Sequence, residues 1–317
     1  MSTLIECSKA TVQSNEKIIN TANNIDVQIA IELEEPWESI PLKSPHFPSE
    51  LQPLAPLLAK NKINCGINYF AKNIMNNKTT KIFVFKKNTN EFLPYDKFEF
   101  DIPQTDLTLF SNELIAFIKG ENKNILKWQV EKNKESIEIF VCVHGTRDQC
   151  CGKYGMQLYQ TFKEKVDKLN LNYRIWKSSH IGGHRYAPTF FEAPSMRWYG
   201  LFTLNSVEAY LTRNQNNFSV NNNYRGMSGI SNKLASLIEN ELFKEYSWEW
   251  LNFSNKNYEM FESNINALPM IHFFYSKDHI KYKRTYQITE TASIENIASC
   301  GSVEKKLVKQ YIIKEYL

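Results

Sequence analysis

The chain has 317 residues, 42% hydrophobic and 23% charged, a balance typical of a globular protein and long enough for two domains of ordinary size. Its 38 basic and 34 acidic residues leave a formal charge of +4 with no long basic run, so neither nucleic acid nor an anionic membrane is an expected partner. Residues 1–17 show no signal-peptide pattern and no window approaches roughly eighteen apolar residues, so no membrane insertion is expected and the expected location is cytoplasmic.

Val27–Leu33 alternates apolar and polar residues and reads as a strand closed by Pro36. Residues 49–62 read as a helix with its prolines near the front. Lys81–Phe85 and Lys97–Asp101 read as strands, and 105–119 as a helix capped by Thr105 or Asp106. The charged stretch Glu131–Ser136 is a plausible boundary. Ser136–Cys142 reads as a buried strand, and Cys151–Leu169 as an amphipathic helix with Tyr154, Leu158, Phe162 and Val166 on one stripe. Strands are then expected at 174–177, 189–192 and 197–202, and a helix capped by Asn205 at 206–213. This strand–helix–strand–strand–strand–helix order is that of a thioredoxin-like domain. Asn214–Asn223 reads as a polar loop, 228–246 as a helix and 267–292 as two strands.

The chemistry concentrates in two segments, Cys142-Val-His-Gly-Thr-Arg-Asp-Gln-Cys150-Cys151 and His180-Ile-Gly-Gly-His184. Six cysteines in a chain of this length do not form a disulfide framework, and clustered cysteines in a reducing compartment more often bind metal or do redox work. Two sulfurs and two imidazoles make a metal-ligand set, with spacing too wide for a zinc finger and wrong for a four-cysteine ferredoxin. The reading is a [2Fe–2S] centre held by Cys142, Cys151, His180 and His184. A helix N-terminus at Cys151 favours its thiolate. Gly182 and Gly183 let the backbone approach the centre and aim N–H groups at it. Two imidazoles in place of two thiolates raise the expected potential to roughly −150 to +300 mV, and it is expected to depend on pH.

Around these four, Cys150 is the alternative to Cys151 as ligand. His144 could hydrogen-bond the centre or brace the loop, and Arg147 and Asp148 could pair to lock it. Arg185 could place charge near the centre, meet an anionic partner or lie on the surface. Cys7, Cys65 and Cys300 read as isolated thiols, and Pro188 as a cis-proline beside the site.

The segments VCVHGTRDQCCGKYGMQLYQ, WKSSHIGGHRYAPTFFEAP and RWYGLFTLNSVEAYL resemble the sucrase/ferredoxin-like family, thioredoxin-like [2Fe–2S] proteins with C-x8-C and H-x-G-G-H motifs. ELEEPWES (32–39) and Tyr224-Arg225-Gly226 extend the likeness to roughly residues 5–230. The resemblance implies an α/β chain in three parts. A degenerate thioredoxin-like domain (1–130) is followed by a thioredoxin-like ferredoxin domain (131–226) and an α+β carboxyl-terminal extension (227–317). It places C-x8-C on Cys142 and Cys151, which would hold one iron, and H-x-G-G-H on His180 and His184, which would hold the other. It implies an electron carrier or redox sensor with a partner protein that donates or accepts electrons, rather than an enzyme. The same four residues could instead bind structural zinc, or the cysteines could act as a thiol–disulfide pair, although no C-x-x-C is present. No glycosidase-like pair of carboxylates supports a hydrolase.

Overall fold

The computed structural model describes residues 6–72, 78–131, 133–214, 222–262, 269–302 and 304–316. Of the polar loop expected at 214–223, residues 215–221 lie outside the described residues. After a short helix α1 (Cys7–Gln13), strand β1 (Val27–Leu33) leads through α2 (Leu54–Lys60) to β2 (Cys65–Ala71), β3 (Thr79–Lys86), β4 (Asp96–Pro103) and α3 (Leu107–Lys119). β1 pairs parallel with β2 and antiparallel with β3, and β3 pairs antiparallel with β4.

The next stretch repeats the plan. β5 (Ile137–Cys142), α4 (Gln149–Leu169), β6 (Tyr173–Ser178), β7 (Phe190–Ala193), β8 (Arg197–Tyr199) and α5 (Val207–Leu211) follow in order. β5 pairs parallel with β6 and antiparallel with β7, which pairs antiparallel with β8. Both halves therefore show the strand order of a thioredoxin-like unit, second–first–third–fourth. Their edge strands β2 and β6 meet antiparallel at Phe70 and Ser178, and with β9 (Tyr224–Met227) they complete one nine-stranded sheet. No cysteine lies between β1 and α2 in the first half.

Side-chain alternation divides the core between the two faces of the sheet. Ile29, Ile31, Ile139 and Val141 join the helices in one cluster, whereas Phe83, Phe85, Phe140 and Cys142 join a second cluster on the other face. The sheet is curled enough that Arg174 of β6 reaches Glu99 of β4 at 2.7 Å and Glu138 of β5 at 2.6 Å. Lys97 of β4 closes the same network at 2.7 Å from Glu138. These buried charges are paired with one another, as burial requires.

β2 is one of the strands that sequence periodicity missed. Its Cys65-Gly-Ile-Asn-Tyr-Phe-Ala has a polar centre because Asn68 serves the junction between the halves. Asn68 accepts from Gln28 Nε2 at 2.7 Å and donates to Ser178 Oγ at 2.8 Å. Two caps also differ from expectation. Asp106 precedes α3 but accepts from Trp128 Nε1 at 2.9 Å instead of capping the helix. α5 is preceded by Ser206, not Asn205, without a side-chain cap.

Beyond β9, α6 (Lys233–Tyr246) starts where Asn232 caps it, accepting from the Leu234 and Ala235 amides at 2.8 and 3.2 Å. The two strands expected at 267–292 are β11 (Pro269–Lys277) and β12 (Ile280–Glu290), flanked by β10 (Ser254–Glu262) and β15 (Tyr311–Tyr316) in a four-stranded antiparallel sheet. β13 (Ile294–Ile297) and β14 (Lys305–Val308) form a separate hairpin that sequence reading did not anticipate. Asn296 ties it to the amino terminus, donating to Ser14 Oγ at 3.0 Å and Glu16 Oε2 at 2.9 Å. No helix among the described residues is long and apolar enough to cross a membrane.

The closest backbone approach that bears on function is between α4 and the end of β5. A Cβ on Gly155 would lie 1.8 Å from the Cys142 carbonyl oxygen, and one on Gly152 would lie 2.7 Å from Gly145 Cα. Gly155→Ala is expected to lower stability by about 1–3 kcal/mol, since backbone rather than a flexible side chain must move. Gly145→Ala, whose Cβ has 3.4 Å to its nearest neighbour, should cost clearly less. Paired urea unfolding curves check the ranking.

Candidate metal centre

Cys142 is the last residue of β5 and Cys151 lies in the first turn of α4, so the glycine contact draws both sulfurs toward one point. His180 follows β6, the parallel neighbour of β5, and enters from the adjacent strand end. The ligand atoms of Cys142, Cys151 and His180 lie within 4.8 Å of one another, with Cys151 Sγ 3.9 Å from His180 Nδ1. The His184 ring centroid stands 5.4 Å from that of His180. Both cysteines are buried, and both histidines are half-buried.

The electrostatics of the cysteine pair are asymmetric. Cys142 is held well below the ordinary thiol range, chiefly by the hydrogen bond from Cys151 and further by His180. Cys151 is raised because it donates that bond and is buried. Of two buried thiols in contact, one ionises at the other's expense.

Each imidazole has a defined role. His144 Nε2–H donates to the Glu38 carbonyl at 2.9 Å, leaving Nδ1 to accept from the His180 amide at 3.1 Å. Burial lowers its pKa. His144 thus braces the His180 backbone. His184 Nε2–H donates to the Ala298 carbonyl at 2.9 Å, while its Nδ1 is buried with no hydrogen-bond partner. A ring that gives its N–H to a backbone carbonyl and presents a bare lone pair is the usual arrangement of a metal-ligating histidine.

Gly182 and Gly183 both have positive φ, 89° and 79°, which only glycine adopts without strain. A Cβ on Gly183 would lie 2.6 Å from Arg225 Nη2. Arg225 holds the loop from beneath. Its Nη1 donates to the Gly182 carbonyl at 3.1 Å, its Nη2 to the Thr21 carbonyl at 2.7 Å and its Nε to Thr21 Oγ1 at 3.1 Å. These partners are neutral oxygens, burial lowers its pKa to about 10, and negative charge on Cys142 and Cys151 acts in the opposite sense. Sequence reading noted the Tyr224-Arg225-Gly226 motif but not this role.

Other expectations are corrected. Arg185 does not face a partner. It is buried, its Nη2 pairs with Glu16 and donates to Tyr186 Oη at 2.8 Å. Asp148 does not serve Arg147 but caps α4, accepting from the Cys150 amide at 2.9 Å. Cys150 points away from the Cys142 site. Cys7 and Cys300 are not isolated thiols, since they converge with Cys150 and Asp148 in a second group whose ligand atoms also lie within 4.8 Å. Adjacent helical residues diverge by roughly 100°, so Cys150 and Cys151 serve different sites. The Ala187–Pro188 peptide is cis, as expected.

The sucrase/ferredoxin-like family profile matches residues 18–226. Among characterised proteins, "Altered inheritance of mitochondria protein 32" of Debaryomyces hansenii is 39% identical over 67 residues, covering 20% of this chain and 24% of that protein. The protein of the same name from Meyerozyma guilliermondii is 27% identical, covering 38% of this chain and 49% of that protein. "Actin patches distal protein 1" of Saccharomyces cerevisiae is 27% identical, covering 39% of this chain and 43% of that protein. The match thus spans less than half the length of each of these relatives. A thioredoxin-like [2Fe–2S] ferredoxin from Aquifex aeolicus aligns with 28% of this chain and 90% of its own, at 20% identity and a TM-score of 0.24.

Arg225→Met would strip buried carbonyls of their donor, each such loss costing about 1–3 kcal/mol. It is expected to destabilise the chain by at least the cost of one and to speed amide exchange across residues 180–186. Arg225→Lys should lie between Met and wild type, because a point charge replaces the planar fork. Hydrogen exchange with mass spectrometry reads both.

Proposed function

Because the chain belongs to the sucrase/ferredoxin-like family, we propose that it is an iron–sulfur protein for electron transfer or redox sensing, with Cys142, Cys151, His180 and His184 holding a [2Fe–2S] cluster. The observation that carries the reading is the donor set. Three ligand atoms lie within 4.8 Å, and beside them is a buried His184 Nδ1 with no partner. A single zinc ion would draw all four donors into one shell, whereas a binuclear cluster spreads them over two metals. That His184 stands outside the close group favours the second.

Bound there, the cluster supplies a one-electron couple whose potential, with two imidazole ligands, falls in the range of roughly −150 to +300 mV. The chain's own residues set the surroundings. Cys142 and Cys151 close the inner side against the aromatic face of the sheet, excluding water. His180 and His184 are half-buried, which makes their side the natural exit for an electron toward a partner protein. His144 fixes His180 from behind, and the Ala298 carbonyl fixes the ring of His184. Arg225 provides a buried positive charge with no carboxylate bound to it, which complements an anionic centre. On this reading the protein works in a reducing compartment such as the cytosol, where clustered cysteines serve metal or redox chemistry.

Anaerobically purified full chain is expected to be red-brown, with about two irons and two sulfides per polypeptide. Cys142→Ser should abolish the colour, and His180→Cys should retain a cluster with altered electron paramagnetic resonance and a lower potential. A colourless chain whose metal at these residues is one zinc would overturn the reading. In loaded protein, Arg225→Met should lower the midpoint potential, because removing a nearby positive charge disfavours the more negative reduced state. A potentiometric titration reads the direction.

A further inference from the structure

We propose that Cys7, Asp148, Cys150 and Cys300 form a second metal site, taking one zinc ion that fastens three distant stretches of chain together beside the Cys142 centre. The inference does not depend on what the first centre binds. Cys150 Sγ lies 3.1 Å from Cys300 Sγ, and Cys300 Sγ lies 3.2 Å from Cys7 Sγ. Asp148 Oδ1 is 3.2 Å from Cys300 Sγ and 3.9 Å from Cys7 Sγ. All four donors fit within 4.8 Å, so they surround one point.

These contacts are too long for disulfides, whose sulfurs sit about 2.05 Å apart, and three sulfurs cannot all pair. With zinc–sulfur bonds of about 2.3 Å, tetrahedral geometry places sulfurs roughly 3.8 Å apart. Widening each sulfur contact by about 0.6–0.7 Å therefore admits the ion. Three thiolates and one carboxylate close a four-coordinate shell without a position for water, which is the pattern of structural rather than catalytic zinc. N–H groups are already aimed at the donors, as around metal-bound thiolates. The Cys7 amide donates to Cys300 Sγ at 3.4 Å, and the Cys300 and Cys150 amides donate to Asp148 at 3.4 and 2.9 Å. Ser8 Oγ–H donates to Cys150 Sγ at 3.6 Å.

The placement explains what the ion would do. Cys7 opens α1, Asp148 and Cys150 begin α4, and Cys300 lies in the turn between β13 and β14. That same turn delivers the Ala298 carbonyl to His184, and Cys150 adjoins Cys151 in the chain. Fastening the hairpin to α4 therefore holds a ligand of the first centre in place.

The test is elemental analysis of the full chain purified in reductant, with zinc and iron read separately. About one zinc per chain is expected in wild type. It should fall at least roughly tenfold in Cys7→Ser and Cys300→Ser and persist in Cys142→Ser, which removes only a residue of the first centre. Cobalt(II) exchanged into the Cys142→Ser chain supplies a readout that does not rely on a damaged second site. Intense visible bands of tetrahedral cobalt with thiolate charge transfer support the assignment, and octahedral cobalt overturns it. Three results overturn it equally: no zinc after reconstitution of the reduced wild-type chain, zinc lost with Cys142→Ser but kept in Cys7→Ser, or a disulfide among Cys7, Cys150 and Cys300 in the protein as purified.

Discussion

The approach of α4 to the end of β5 is the contact on which the candidate centre depends. With no Cβ at Gly152 or Gly155, the helix sits against the strand terminus closely enough that Cys142 and Cys151 share one space. The same contact positions Asp148, which caps the helix and turns its carboxylate toward Cys7 and Cys300. A methyl group at Gly155 would collide with the Cys142 backbone itself, so the geometry of the sulfurs and the packing of the fold are one problem. Glycine in a helix interior costs about 1 kcal/mol relative to alanine, and here that cost secures the approach.

Around this contact the chain gathers support from remote segments. Arg225 reaches from β9 to hold the Gly182–Gly183 turn, and Thr21 accepts the rest of its fork. Glu38 orients His144, which in turn holds the His180 amide. The carboxyl-terminal hairpin contributes the carbonyl that sets the His184 tautomer. These partners are backbone carbonyls or side chains drawn from segments far apart in the sequence. Under the proposed function, such bracing would aim the donors before a metal binds.

Much of the architecture was legible in the amino-acid sequence. Alternation marked β1, β3 and β4, and the apolar stripe marked α4, because successive strand side chains take opposite faces while a helix face recurs every 3.6 residues. β2 escaped because the strand joining the two halves carries a buried asparagine in place of a hydrophobic run. The β13–β14 hairpin escaped because its short strands pack chiefly against α1 and carry little alternation of their own. Arg185 was left open between the centre, a partner and the surface, because its partner Glu16 is remote in sequence and buried with it.

The sequence by itself determined the donor types and their two local spacings. C-x8-C and H-x-G-G-H are set along the chain, and two successive glycines permit the positive φ that the fold then selects. It also determined the strand–helix–strand–strand–strand–helix order around them, from Ser136 to residue 213. Tertiary structure decided which cysteines meet. Cys150 and Cys151 are neighbours in sequence yet face different sites, since a helix turns each successive side chain roughly 100° about its axis. Cys7 and Cys300, apparently solitary, meet Cys150 because α1 and the carboxyl-terminal hairpin fold over the same helix end. Convergence of residues nearly three hundred positions apart depends on packing between elements, and no local pattern encodes it.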